Sequence, residues 1–400
     1  MLNPSQRGQA MPASPIRKLV PFAEKAKERG ITVHHLNIGQ PDIETPPAAL
    51  AALQNASIPI LAYSHSAGNL SYRKKLVGYY AKYNIAVDAE QIMITTGGSE
   101  AIIFAFMSCL DPGDEVIIPE PFYANYCGFA VMAGIEVVPV ASDINNGFAL
   151  PPMHELERLI TNRTKAILIC NPNNPTGYVY SRTEMERLEE ICLQHKLFLF
   201  ADEAYREFSY GPTPFSAMCL EKIPEQVVLM DTISKRYSAC GARIGALITR
   251  NKGVFDSAMK FAQARLSPPG LAQIVGEAAV DLPDNYFDIP KAAYQSRRDL
   301  LVNRLNAMPG VFCPNPGGAF YAMAKLPVDD SDLFCQWILE SFSFNNQTVM
   351  MAPASGFYGT PGKGKNEVRL AYVINNEAIS QAMDCLEAAL QAYPGRTTVQ

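Results

Sequence analysis

Val227-Val228-Leu229-Met230 runs into Asp231-Thr232-Ile233-Ser234-Lys235-Arg236-Tyr237-Ser238-Ala239-Cys240-Gly241-Ala242-Arg243-Ile244-Gly245. The apolar run before Asp231 predicts a buried strand, and the run to Thr249 predicts a second. Hydroxyls, glycine, a lysine and two arginines crowd the turn between them. An amine held at a strand end among small residues is made nucleophilic by partial burial and neighbouring cations. Arg243, eight residues beyond Lys235, carries the planar fork that grips phosphate with two hydrogen bonds. A surface lysine in a strand-to-helix loop is the plain alternative, and this stretch alone leaves both open.

Working outward, short apolar runs alternate with helix-length segments. The predicted strands are Ile92–Thr95, Glu115–Ile118, Glu136–Val140, Ala166–Cys170, Phe198–Ala201, Val227–Met230 and Gly245–Thr249. Seven such runs predict an α/β fold with a seven-stranded, mostly parallel sheet covered by helices on both faces. Ligands of such sheets collect at the carboxyl ends of the strands. A polar arm leads into a short helix over Ile16–Arg29, and a long helix over Pro290–Met308 bridges to a smaller α+β unit. That unit holds a strand over Gly317–Tyr321, a helix over Asp332–Glu340 and a strand over Glu367–Tyr372. The expected division is 1–47 as arm and part of the small domain, 48–289 as the large domain and 290–400 as the small domain.

The informative motifs lie just past predicted strand ends. Thr96-Gly97-Gly98-Ser99-Glu100 opens the apolar helix Ala101–Leu110, where free N–H groups and the positive dipole end suit an anion. A simple N-cap explains it equally well. Tyr123, with Phe122 as its alternate, follows the next strand, and an aromatic there also suits the core. Two prolines and a glycine make Asn171–Gly177 a rigid loop that aims its asparagines at little entropic cost. Asp202 ends a buried strand, where an unpaired carboxylate needs a cation; Arg206 is a local candidate. Arg369 is a lone charge in an apolar strand, placed either on an exposed face or against an anion.

In order and spacing these motifs resemble the class I/II aminotransferases, fold-type I enzymes that carry pyridoxal phosphate on a lysine. The resemblance runs from Leu36 to Leu390. Thr232 departs from the usual Ser or Gly but keeps a hydroxyl. The resemblance implies that Lys235 is the catalytic residue and binds the cofactor covalently. It assigns the phosphate to Gly98, Ser99, Glu100, Thr232, Ser234 and Arg243, and to Tyr63 reaching across from the second subunit of a homodimer. It sets Tyr123 against the pyridine ring, Asn174 and Tyr205 at its phenolic oxygen, and Asp202 at its nitrogen. Gly39, Asn174 and Arg369 would meet the substrate, Arg369 at its α-carboxylate. For a distal carboxylate the expectation is Arg265, ahead of Pro268-Pro269, with aspartate and 2-oxoglutarate as the substrate pair. An ion pair for Arg265 would favour a neutral or aromatic donor instead. A lyase of the same fold, cleaving Cβ–S bonds, shares every cofactor contact. A transcription regulator on this fold would need a DNA-binding module ahead of residue 40, for which the arm is short.

Composition bounds the same choices. The 400 residues, 48% hydrophobic and 18% charged, suit a large domain plus a smaller one. A net charge of −5 argues against nucleic acid or an anionic membrane surface as the main partner. Nine scattered cysteines without a CxxC pair favour a reducing cytoplasm over a disulfide framework. No apolar run approaches the ~18 residues of a membrane span, the first residues lack the apolar core of a signal peptide, and no metal is expected.

Overall fold

Alternate residues along the central strands belong to different cores, which fixes a sheet covered on both faces. In the computed structural model, which describes residues 2–397, Ile167, Ile169, Leu199 and Leu229 pack on one side and Ala166, Leu168, Phe200 and Val228 on the other. The strands in chain order are β1 (Thr32–His35), β2 (Ile92–Thr96), β3 (Glu115–Glu120), β4 (Glu136–Ala141), β5 (Thr164–Cys170), β6 (Phe198–Asp202), β7 (Val227–Thr232), β8 (Ile244–Thr249), β9 (Tyr321–Lys325), β10 (Gln347–Met350), β11 (Ala352–Pro353) and β12 (Glu367–Ala371). Seven of them form one sheet in the order β2-β8-β7-β6-β5-β3-β4. All its pairings are parallel except those of β8, which runs antiparallel to β2 and β7. From β3 the chain winds one way to β4 and the other way to β5, so a topological switch point opens at the carboxyl ends of β3 and β5.

A second core gathers β9, β10, β12 and the helices Ser331–Glu340 and Asn376–Ala392. Leu19, Ala23 and Leu36 from the start of the chain join it, as do Tyr294, Leu301 and Leu305 of the helix Asp288–Ala307. Here β11, β12 and β9 make a three-stranded antiparallel sheet, and β1 pairs in parallel with β10. None of the described helices is long and apolar enough to cross a membrane.

Two local expectations are corrected. The strand expected over Gly317–Tyr321 begins only at Tyr321. Ala319 has φ 57°, outside the extended region, and this stretch docks instead on the asparagine–proline loop and on the segment that follows β6. There Gly318 N donates to Gly177 O at 2.9 Å, and Ala319 N donates to Phe208 O at 2.8 Å. The helix expected from Ala101 starts four residues earlier, at Gly97. Gly98, Ser99 and Glu100 therefore stand in its first turn, where backbone N–H groups have no helical acceptor.

Candidate active site

A cavity of about 510 Å³ opens at the carboxyl ends of β3, β5, β6 and β7, and is closed by Arg369 and by residues of the N-terminal arm. At its centre, Thr232 caps the short helix Ile233–Arg236, its Oγ1 accepting from Ser234 N at 3.1 Å. Lys235 Nζ donates to Gly39 O at 2.7 Å and lies 3.9 Å from Cys240 Sγ. The residues on either side of this turn are locked from below. Arg236 pairs with Asp231 and stands 4.0 Å over the Tyr79 ring. Arg206 binds Glu203 at 2.8 Å and reaches Asp231 at 3.5 Å, while Tyr80 donates to Asp231 at 2.7 Å. Burial works to raise the Asp231 pKa, but the two arginines prevail and hold it below the usual carboxylate range.

One end of the cavity offers donors. Gly98 and Ser99 line it from the helix N-terminus, beside the hydroxyls of Thr232 and Ser234 and the guanidinium of Arg243. Arg243 Nη1 donates to Cys240 O at 3.1 Å and lies 3.4 Å from Ser234 Oγ. This approach depends on glycine: Gly97 has φ +72°, and a Cβ there would run into Arg243. A Cβ on Gly245 would stand 2.5 Å from Gly97 C and 2.7 Å from Gly98 N.

The floor is Asp202. Its carboxylate accepts from Tyr126 Oη at 2.8 Å and from Ala204 N at 3.2 Å. Arg206, the local candidate for its counterion, is spent on Glu203 and Asp231. Burial therefore prevails, pushing the Asp202 pKa up to about 6. Of the two aromatics after β3, Tyr123 lines the cavity and Phe122 is 2% exposed in the core. Asn174 also lines the cavity, and its Oδ1 accepts from Arg369 Nη1 at 3.0 Å. Arg369 Nη2 donates to Asn37 O at 2.6 Å, Nε has no partner, and the rings of Tyr321 and Phe357 lie 4.4 and 4.7 Å away. The hydroxyls of Tyr205 and Tyr321 are 2.9 Å apart.

Three expected residues lie outside this cavity. Glu100 turns its carboxylate to Thr96 N at 2.8 Å and to Arg265 at 3.7 Å. Arg265 also donates to Ser66 O at 3.2 Å. Tyr63 is 78% exposed. Conversely, Tyr126, Tyr321 and Cys240 line or brace the cavity without having been singled out, as do Ser14, Ile16 and Arg17 of the arm. A tyrosine three residues after Tyr123 was the available signal for Tyr126; the arm gave none.

A doubly wound sheet with a lysine at its carboxyl edge, facing amide, hydroxyl and guanidinium donors, has the architecture of fold-type I pyridoxal-phosphate enzymes. The chain belongs to the aminotransferase class I and II family, whose family model matches residues 31–386. It is 31% identical over 384 residues to an aspartate aminotransferase of Pyrococcus horikoshii, covering 94% of this chain and 95% of that one. The structure superposes with a TM-score of 0.88 on the aspartate aminotransferase of Thermus thermophilus with maleate, at 28% identity, over 97% of this chain and 100% of that one. It matches an alanine aminotransferase of Pyrococcus furiosus with a TM-score of 0.88 and 28% identity, over 96% and 99%. The protein is thus a pyridoxal-phosphate-dependent aminotransferase. The residues present fit that cofactor: donors alone gather at one end, and a carboxylate without a cation waits at the floor.

Proposed function

We propose that the protein moves the amino group of an L-amino acid, with aspartate as donor, to 2-oxoglutarate in two half-reactions that share one site. The observation that carries this is Arg369, 2% exposed and without a carboxylate partner among the described residues. A buried guanidinium in that state is costly until an anion arrives, and the α-carboxylate of an amino or oxo acid supplies one.

Bound pyridoxal 5'-phosphate supplies a carbonyl that takes up the amino group and a ring that withdraws electrons. In this reading Arg243, Thr232, Ser234 and the amides of Gly98 and Ser99 hold its phosphate, and Tyr123 flanks the ring. Asp202 keeps a proton on the ring nitrogen, and Asn174 and Tyr205 donate to the phenolic oxygen. Arg369 and the Gly39 backbone fix the substrate carboxylate, which orients the Cα–H bond for cleavage. Lys235 Nζ takes the Cα proton and returns it, a general acid–base task. Lys235 would be released in the first half-reaction and linked again only at the end of the second, and the first oxo acid would leave before the second binds, which is ping-pong behaviour.

The same reading makes the protein a homodimer in which Tyr63 serves the partner's phosphate. Ile60, Leu61, Tyr63 and Leu266 are 79%, 63%, 78% and 51% exposed. Ser66 Oγ donates to Leu266 O at 2.6 Å, which ties together the two segments that carry these exposed apolar side chains. The cores support a large domain of 48–289 and a small one of 1–47 with 290–400, although Cys170, Tyr205 and Phe208 of the first reach into the core of the second. Nine free thiols support a reducing compartment such as the cytoplasm. The test is incubation of holoenzyme with single amino acids and 2-oxoglutarate, scoring glutamate against ammonia plus pyruvate. Glutamate formed from aspartate supports the proposal; ammonia and pyruvate without glutamate would establish the lyase instead.

A further inference from the structure

Tyr205 and Tyr321 both line the cavity, and their hydroxyls meet at 2.9 Å. Tyr205 follows β6 of the large sheet and Tyr321 opens β9 of the three-stranded sheet, so the contact bridges the two sheets. Both side chains are buried, at 4% and 3% exposure. Neither hydroxyl has another hydrogen-bond partner among the described residues.

The Tyr321 side chain is held in place around that contact. Its ring stands edge-on to the Tyr205 ring, with centroids 5.7 Å apart. The Arg369 guanidinium lies 4.4 Å over its face. Its hydroxyl passes so close to Gly39 that a Cβ there would stand 2.0 Å from it, which only glycine avoids.

A phenol has one proton to give and lone pairs with which to accept. In the aminotransferase reading, on which this inference rests, Tyr205 gives its proton to the phenolic oxygen of the cofactor. Burial, and then the neighbouring Tyr321, raise the Tyr205 pKa well above its ordinary value, so that proton stays in place. Tyr205 then has only a lone pair left for Tyr321. Tyr321, which has no other acceptor, is the donor in the 2.9 Å contact. A hydroxyl that accepts one hydrogen bond becomes the stronger donor in the next.

We infer that Tyr321 is a positioning residue of aminotransfer. Its hydroxyl donates to Tyr205, and so aims and strengthens the hydrogen bond from Tyr205 to the phenolic oxygen, while its ring seats Arg369. One side chain thereby links the group that binds the substrate carboxylate to a group that sets the basicity of the cofactor.

The test titrates holoenzymes with pH while cofactor absorbance is followed, for wild type, Tyr321→Phe, Tyr205→Phe, the double variant and Tyr321→Leu; thermal melts check that each is folded. A donor at the phenolic oxygen favours negative charge there, so the cofactor linked to Lys235 gives up its proton at lower pH. Tyr321→Phe should therefore raise the midpoint of the absorbance change by about 0.3–1 unit, the size of part or all of one hydrogen bond. It should lower kcat by about 2- to 10-fold and leave KM for the amino donor unchanged. Tyr205→Phe should raise the midpoint at least as far. The double variant should go no further than Tyr205→Phe, because Tyr321 acts through Tyr205. Tyr321→Leu should share the shift and also raise KM, since Arg369 loses the ring beneath it. An unmoved midpoint in Tyr321→Phe, shifts that add in the double variant, or an unchanged KM in Tyr321→Leu would overturn the inference. Failure of the aminotransferase reading shows separately, as a wild type whose cofactor absorbance no amino acid changes, and the titrations still decide the role of Tyr321.

Discussion

Replacing Arg369 with methionine should separate folding from function. In the ligand-free protein the substitution removes two hydrogen bonds from a charged donor, to Asn174 and Asn37, and contacts with two aromatic rings. The hydrogen bonds are worth about 1.5–3 kcal/mol each and the ring contacts about 1–4 kcal/mol together. Against this, a guanidinium 2% exposed, with Nε unpartnered, bears a desolvation cost of several kcal/mol that methionine does not. Burial accordingly depresses its pKa. The opposing contributions are of similar size, so the predicted change in stability is within about 2 kcal/mol, a few degrees in Tm. Substrate binding has no such compensation. Losing a two-point carboxylate contact of about 3–6 kcal/mol should cut kcat/KM about 10²- to 10⁴-fold for every donor. Thermal melts of apo- and holoenzyme, cofactor absorbance and steady-state kinetics measure all of this together. A collapse of Tm by more than about ten degrees would make Arg369 a structural residue. Unchanged kcat/KM for all donors would refute its role in substrate binding.

Asp202 is charged above its raised pKa of about 6 and neutral below it. Cofactor affinity of the apoprotein should therefore fall as pH drops through about 6. Asp202→Asn should bind weakly at every pH and lack that limb; a pH profile identical to wild type would contradict the assignment. Mixing inactive Tyr63→Ala with inactive Lys235→Ala should restore activity through heterodimers with one intact site, and no recovery after verified subunit exchange counts against a shared site. Arg265→Ala removes the pair with Glu100, and is expected to reduce aspartate and alanine turnover alike. A loss confined to aspartate would return the distal-charge role to Arg265.

The inner strands of the large sheet were legible as short apolar runs, the mark of burial on both faces, whereas the edge strand β4 is half-exposed. The antiparallel course of β8 was not read, although residues 233–243 are few for the crossover that a parallel return from β7 requires. The false strand over Gly317–Phe320 looked extended by composition, but its contacts with Gly177 and Phe208 are long-range and invisible in the local pattern. Site roles came from motif spacing, so residues outside motifs escaped. Tyr321 was read only as the end of a strand, and Arg17 only as part of the short helix over Ile16–Arg29. The Glu100–Arg265 pair joins residues far apart in the chain, and nothing in either segment announces it. Arg206 was read as a candidate partner of Asp202, whereas it binds Glu203 and Asp231, and the convergence of Asp231, Arg206 and Arg236 beneath Lys235 needed the fold.

Covalent attachment of the cofactor to Lys235 is the claim on which the rest depends. Holoenzyme reduced with borohydride, digested and mapped by mass spectrometry tests it directly. A single pyridoxyl-modified peptide containing Lys235, absent from Lys235→Ala, is the expected result. A label on any other lysine, or a wild type that loses all its cofactor after reduction and denaturation, would contradict it.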